Sequence, residues 1–419
     1  MALPTRPQRR ASRSFALIRV ARIVAVSAVS GCLAGGSSYV FLELLDHATT
    51  VRLEHRWIVW LLPVIGIVVG AAYHGLAGRA AGGTGLVVRE ARSLRHGVPA
   101  RMAPLILAGT LLGHLGGASV GREGTALQLS ASLTDGLAQR VRLGAADRRV
   151  LLPAALAGGF GAVFGVPFAG VVFAVTVAAA WQPLTVIACL VASLVGDRMV
   201  GALGHDHASF PQVAAVDWSA GLVLRLMLLG VVSGLLARLF VTTTALVRRG
   251  MVAGIERAWL RPAIGGGATL ALMGLVGRDY LGLSLPLIGH AFDGSEHSWT
   301  VPMLKLAFTA LALGSGFVGG EVTPLFIVGA TAGASVGSLT GATSMVVLFV
   351  ACGFVVVFAS AASATVAGVV MAVELFGWHV AVPALLVGMG ARLVAGRPGL
   401  YVSRRDIASR PASAPAPSR

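Results

Sequence analysis

The sequence predicts an all-α polytopic membrane protein, a duplicated helical bundle whose helices are interrupted by glycines inside the apolar region. Three observations lead there. The chain of 419 residues is 56% hydrophobic and only 12% charged, whereas soluble domains carry about a quarter charged residues. Residues 58–77, 151–181 and 345–372 are apolar runs long enough to cross a bilayer, which takes about 20 residues. The third observation is an internal repeat.

From the N-terminus, residues 1–22 carry six arginines and are expected as a basic tail without fixed structure. The apolar run 23–45 is too long for the core of a signal peptide and is expected to be the first span. Residues 222–246 are also long enough to cross, although Arg225 and Arg238 interrupt them. Beyond Asp406 the composition turns to Ala, Ser, Pro and Arg, a solvated end. The expected organisation is a tail at 1–22, a first repeat at 23–210, a second at 211–403 and a tail at 404–419.

The net charge of +16 is almost all arginine, with Lys305 the one lysine. A nucleic-acid partner is one reading of so basic a chain, but the positive-inside rule accounts for it better. The arginines cluster in 1–22, 89–101, 140–149, 248–261 and 392–410, which are expected to be cytoplasmic together with both termini. Segments 46–57, 204–217 and 290–300, with much of the histidine, are expected outside. Cys32, Cys189 and Cys352 lie in apolar segments without metal-ligand spacing and are expected as small core residues.

The repeat reads as follows. Ala169-Gly170-Val171-Val172 recurs as Ala367-Gly368-Val369-Val370, an offset of 198 (367 − 169). The same offset carries Gly121-Arg122-Glu123-Gly124-Thr125 onto Gly319-Gly320-Glu321-Val322-Thr323, making Glu321 the counterpart of Glu123. Gly78-Arg79 and Gly83 find Gly277-Arg278 and Gly282 at 199. Glycine runs at 82–85, 121–124 and 314–320 sit where helices must stop and restart within the membrane. Broken helices expose N-terminal amides, and with the helix dipole these favour an anion. Glu123 is a single carboxylate between two glycines in an otherwise apolar region, an expensive placement that marks a functional site.

These motifs resemble the CLC family of chloride channels and proton-coupled anion antiporters. Gly121-Arg122-Glu123-Gly124 is similar to the family's GREGP, with Thr125 in the proline's place. Gly83-Thr84-Gly85-Leu86-Val87 stands where the family has GSGIP, and Gly320-Glu321-Val322-Thr323-Pro324 where it has GxFxP. Pro398-Gly399-Leu400-Tyr401 resembles its terminal tyrosine motif. Thr84, Thr125 and Glu321 together resemble the bacterial fluoride/proton antiporter branch.

The resemblance implies an inverted-repeat bundle with a midplane anion site, and a homodimer in the inner membrane. It makes Glu123 the gate and proton carrier. Thr84, Tyr401 and the amides of Glu321 and Val322 become anion donors, with Arg122, Gly124, Thr125 and Thr323 as secondary candidates. It implies fluoride and protons as substrates, with chloride or a broader anion range, or a channel of the same fold, as alternatives. No cofactor is implied. Glu321 is expected to shape the pore, assist coupling or cap a helix, and Glu374 to serve a structural or helix-end role. The inner proton-transfer glutamate of chloride-type antiporters has no counterpart in Ala174-Val175-Thr176-Val177. An intramembrane enzyme using Glu123 and Glu321 as acid and base is a remote rival, opposed by the lack of HExxH, GxSxG or paired metal-ligand spacing.

Overall fold

A computed structural model describes residues 6–295, 297–396 and 399–401, with 6–16 described as backbone alone. The C-terminal tail and Pro398 lie outside the described residues. The described chain forms sixteen α-helices in two successive runs of eight. The first run is α1 Arg6–Glu54, α2 Leu62–Ala72, α3 Gly83–Arg92, α4 Met102–Gly116, α5 Glu123–Arg140, α6 Ala145–Phe164, α7 Pro167–Ala178 and α8 Pro183–Ala202. The second is α9 Ala220–Gly254, α10 Arg261–Val276, α11 Pro286–Phe292, α12 Thr300–Ser315, α13 Val322–Leu339, α14 Val346–Ala361, α15 Thr365–Phe376 and α16 Ala381–Ala395. Eight helical stretches among the described residues are long and apolar enough to cross a membrane, so the chain is a multi-span membrane protein. Exposed Trp57, Trp60, Trp181, Trp218, Trp299 and Trp378 lie at or near helix ends, the depth at which indoles favour the bilayer interface.

All three glycine runs are helix breaks. A short 3₁₀ turn ends at Gly82 and α3 starts at Gly83, whose φ is +52°. Gly117 and Gly316 close α4 and α12 at φ +89° and +108°, a left-handed cap that other residues adopt only with strain. Two long apolar runs divide where one continuous helix was possible by length. Residues 151–181 split at Gly165 (φ +70°), and Pro167 then opens α7. Residues 345–372 split at Ala362–Ala364, where Ser363 takes φ +56° without any glycine or proline nearby.

Other expectations change in detail. Residues 6–22, expected as an irregular tail, are part of α1, and α1 continues to Glu54 through most of the expected 46–57 loop. The boundary drawn at 210/211 falls in the irregular stretch between α8 and α9. Cys189 and Cys352 are buried, but Cys32 is exposed on α1.

The duplication is visible in the element boundaries. Helices α4 to α8 recur as α12 to α16 at offsets near 198. Around the central breaks, however, the register is 199. Gly121 pairs with Gly320 in an antiparallel bridge, Glu123 and Val322 begin their helices, and Gly117 answers Gly316. The sequence alignment therefore slips by one. The structural counterpart of Arg122 is Glu321, that of Glu123 is Val322, and that of Thr125 is Pro324. The pairing of equivalent residues in opposite directions is what a two-fold relation between halves produces. At the centre, α13 packs on α14 and α5 on α6. The span at α13 is 89% buried against 28% for the span in α1, which faces outward.

Candidate functional site: a carboxylate between two cavities

Two interlocking backbones build the centre of the site. Gly121 N–H donates to Gly320 O at 2.5 Å, and Gly320 N–H returns to Gly121 O at 2.7 Å. This joins the segments leading into α5 and α13 and brings two helix N-termini together. Any side chain would separate them. A Cβ on Gly320 would lie 2.6 Å from Gly124 N and 3.0 Å from Glu123 Oε2, and one on Gly124 would lie 2.9 Å from Gly320 Cα. Gly124 is thus a packing requirement of the site.

Glu123, the first residue of α5, is 0% exposed. Its Oε2 accepts from Thr323 N–H at 3.1 Å, and its Oε1 accepts from the Thr323 hydroxyl. Arg122 Nε stands 3.8 Å from Oε1 and makes no hydrogen bond of its own. One residue of the opposite repeat therefore supplies both donors that seat the carboxylate. Ionised acceptors make the stronger hydrogen bonds, so this seat suits the anionic form.

Two cavities approach this seat from different elements. One of ≈ 490 Å³ is lined by Arg122, Thr323, Phe164, Phe210, Phe326 and Phe354 among others, with His207 and Asp293 also in its wall. The other, of ≈ 630 Å³, is lined by Gly83, Thr84, Gln128, Gly319, Glu321 and Tyr401, with Arg248 and Arg261 also in its wall. Glu123 lines neither cavity. It lies between Arg122 on one side and the Gly319–Glu321 segment on the other, as a plug would.

Thr84, near the start of α3, is nearly buried, and its Oγ1 accepts from Gln128 Nε2 at 3.2 Å. That leaves the hydroxyl hydrogen free to donate into the second cavity, beside the N-terminus of α3. Tyr401 is buried, with its ring edge-on to Phe173 at 5.9 Å. Its hydroxyl lies beside the Glu321 carboxyl without a hydrogen bond of normal geometry. Glu321 stands at the position preceding α13 without a side-chain capping hydrogen bond, so it does not act as the helix cap that was one of its expected roles, and it is partly exposed to the same cavity. Val322 is fully buried. Thr84, Glu321 and Tyr401 thus share one cavity.

Thr125 does not join them. Its Oγ1 is 2.7 Å from Thr110 Oγ1, so this threonine ties α5 to α4. Thr323, a secondary candidate on sequence, makes the most direct contact with Glu123. Gln128 is a residue that sequence reasoning passed over. A polar amide on an otherwise buried helix, five residues after Glu123, was the available signal. Glu374 accepts from Phe168 N–H at 2.9 Å and from Ala169 N–H at 2.7 Å. The structural, helix-end reading of Glu374 thus holds, but the end it caps belongs to α7 in the other repeat. Residues 174–177 lie within α7 and bring no carboxylate. Among the described residues, no group of three or more His, Cys, Asp or Glu could hold a metal.

A bridged pair of helix N-termini, a seated carboxylate and a cavity on either side define a transporter of anions rather than a reaction centre. Comparison with known proteins agrees. The voltage gated chloride channel family matches residues 65–396, and the chain belongs to that family. It is 38% identical over 398 residues to a chloride/fluoride channel protein of Pseudomonas syringae pv. tomato, covering 92% of this chain and 87% of the relative. A putative ion-transport protein YfeO of Salmonella newport is 28% identical over 66% of this chain and 68% of its own length. Among solved structures, a CLC-type fluoride/proton antiporter superposes with a TM-score of 0.87 at 29% identity, over 92% of this chain and 98% of that one. A slow cyanobacterial Cl⁻/H⁺ antiporter, at TM-score 0.76 and 15% identity over 90% of this chain and 93% of that one, shares the fold. These relatives are channels and transporters, which removes the intramembrane-enzyme reading.

Proposed function

We propose that the protein is a fluoride/proton antiporter that exports fluoride from a bacterial cytoplasm, driven by the inward proton gradient. The observation that carries the reading is Glu123, buried between two cavities and seated by Thr323. A carboxylate in that position occupies the place an anion must pass. An arriving fluoride competes for the same Thr323 donors. Once displaced and protonated, the carboxyl carries a proton along the route the anion uses in the opposite direction. Two cavities with one titratable group between them form an alternating barrier without large domain motion.

The cavity holding Thr84, Glu321 and Tyr401 also holds Arg248 and Arg261 from an arginine-rich segment, which supports placing it, and both termini, on the cytoplasmic side. The Arg122 cavity, with His207 and Asp293 in its wall, then faces outward. Fluoride is small, strongly hydrated and a hard acceptor, so a site must replace its water with close donors. The Thr84 hydroxyl, the Tyr401 phenol and the N-terminal amides of α3 and α13 are donors of that kind. They serve chloride as well, so the preference for fluoride is supported by the 38% identical chloride/fluoride relative and the fluoride/proton antiporter structure. A homodimer in the inner membrane, each subunit with its own pathway, completes the proposal.

The test is flux from liposomes loaded with fluoride or chloride, recorded with fluoride- and pH-sensitive probes. Fluoride efflux should be accompanied by proton uptake, and Glu123→Gln should abolish the proton movement. Equal rates for chloride and fluoride in the native protein would refute the fluoride assignment and leave a broad anion/proton antiporter.

A further inference from the structure

Three basic side chains that the gate does not use lie together, away from both cavities. Lys305, on α12, is 0% exposed, and its Nζ donates to Gly282 O at 2.8 Å, Ser284 Oγ at 2.9 Å and Tyr280 O at 3.3 Å. All three ammonium hydrogens are thereby used. His114, in the last turn of α4, is 1% exposed, and Arg52, in the last turn of α1, is 8% exposed. Arg52 and Lys305 are both within electrostatic reach of His114, and Arg52 is within reach of Lys305. Among the described residues none of the three forms an ion pair with a carboxylate.

The polar atoms left over are specific. Arg52 Nε and both ring nitrogens of His114 are buried without a hydrogen-bond partner. Buried donors are nearly always satisfied, and an exception calls for a bound ion or water. Buried charge is tolerated only when compensated. The C-terminal dipoles of α1 and α4 soften the positive charge, but they offer no acceptor to these atoms. What the cluster lacks is one small group that accepts from Arg52 Nε and from the one N–H of a neutral His114 ring, and whose negative charge offsets the Arg52 guanidinium. A cation is excluded by charge, and a water would fill the acceptor role while leaving the charge uncompensated.

We propose that Arg52 and His114 bind a halide ion beside Lys305, at a second anion site separate from the transport path. None of the three residues lines either cavity beside Glu123. The site is nonetheless mechanically joined to the gate. Gly282 N–H donates to Gly117 O at 3.0 Å, and Gly117 opens the short linker that ends at Gly121 and Glu123. Ser119, in the same linker, is 2.9 Å from Thr309, one turn beyond Lys305 on α12. A bound halide stiffens the approach to the gate without entering it.

The experiment uses the full chain in detergent and in crystals. Native crystals grown in bromide should show anomalous density between Arg52 Nε and the His114 ring, and Arg52→Met should lose it. In parallel, the Tm of the native protein should rise with fluoride or bromide at constant ionic strength, with gluconate as the balancing anion. Part of that rise should disappear in Arg52→Met, and in His114→Leu as a second variant should the first not fold. Either result supports the site. Native crystals without bromide density, together with either no halide-dependent Tm rise or one that both variants retain in full, would overturn it. The readouts are independent of flux, so a failure of the fluoride assignment would leave this test intact.

Discussion

Replacing Thr323 by valine keeps the shape of the residue and its main-chain N–H but removes the hydroxyl that donates to Glu123. The carboxylate has two hydrogen bonds from this residue, one from the N–H at 3.1 Å and one from the hydroxyl. A hydrogen bond to a charged group contributes about 1.5–3 kcal/mol. Arg122, at 3.8 Å and without a hydrogen bond, cannot replace it. At 1.4 kcal/mol per factor of ten, the seated carboxylate loses between about tenfold and about a hundredfold in population relative to displaced states. Under the proposed antiport the carboxylate is therefore out of the path more often, and the anion leaks without its proton. In liposomes the expected outcome is persistent fluoride efflux with fewer protons taken up per fluoride, while Thr323→Ser stays close to native. A folded Thr323→Val protein with unchanged coupling would show that the hydroxyl does not hold the gate.

Gly320→Ala should wedge the bridged helix ends apart, since its Cβ would lie 2.6 Å from Gly124 N. Overpacking of this kind costs about 1–3 kcal/mol; flux should fall while the protein remains extractable and monodisperse by size-exclusion chromatography. Glu374→Gln weakens the charged cap on α7 and should lower stability by about 1 kcal/mol, read as a reduced Tm with coupling preserved. Thr125→Val removes the bond to Thr110, 2.7 Å away, and should reduce Tm while leaving anion selectivity unchanged; a shift in selectivity would place Thr125 in the path after all. Gln128→Leu frees Thr84 from its 3.2 Å partner, and an altered fluoride-to-chloride ratio in competition flux would confirm that this pair lines the anion route.

What could be read along the chain was what composition and local charge encode. The apolar runs, the arginine clusters and the glycine stops place the helices and their interruptions, because bilayer length, interfacial charge and left-handed caps each act on consecutive residues. Glu123 stood out for the same reason, as one carboxylate in an apolar stretch. The break at Ala362–Ala364 escaped because Ser363 adopts its left-handed conformation without a glycine or proline to announce it.

The seat of the Glu123 carboxylate was decided by tertiary structure. Thr323 meets Glu123 across 200 residues of chain, and no local pattern specifies which of several buried hydroxyls will face a distant carboxylate. The repeat register, 199 rather than 198 at the centre, follows from the Gly121–Gly320 bridge, which makes Glu321 the counterpart of Arg122. Lys305 read as a lone lysine until folding brought Arg52 and His114 beside it. The sequence by itself determined a membrane-spanning duplicated bundle and the carboxylate at its heart. Only the packing of one half against the other decided which donors hold that carboxylate, because hydrogen bonds between repeats depend on register and direction, and these exist only in three dimensions.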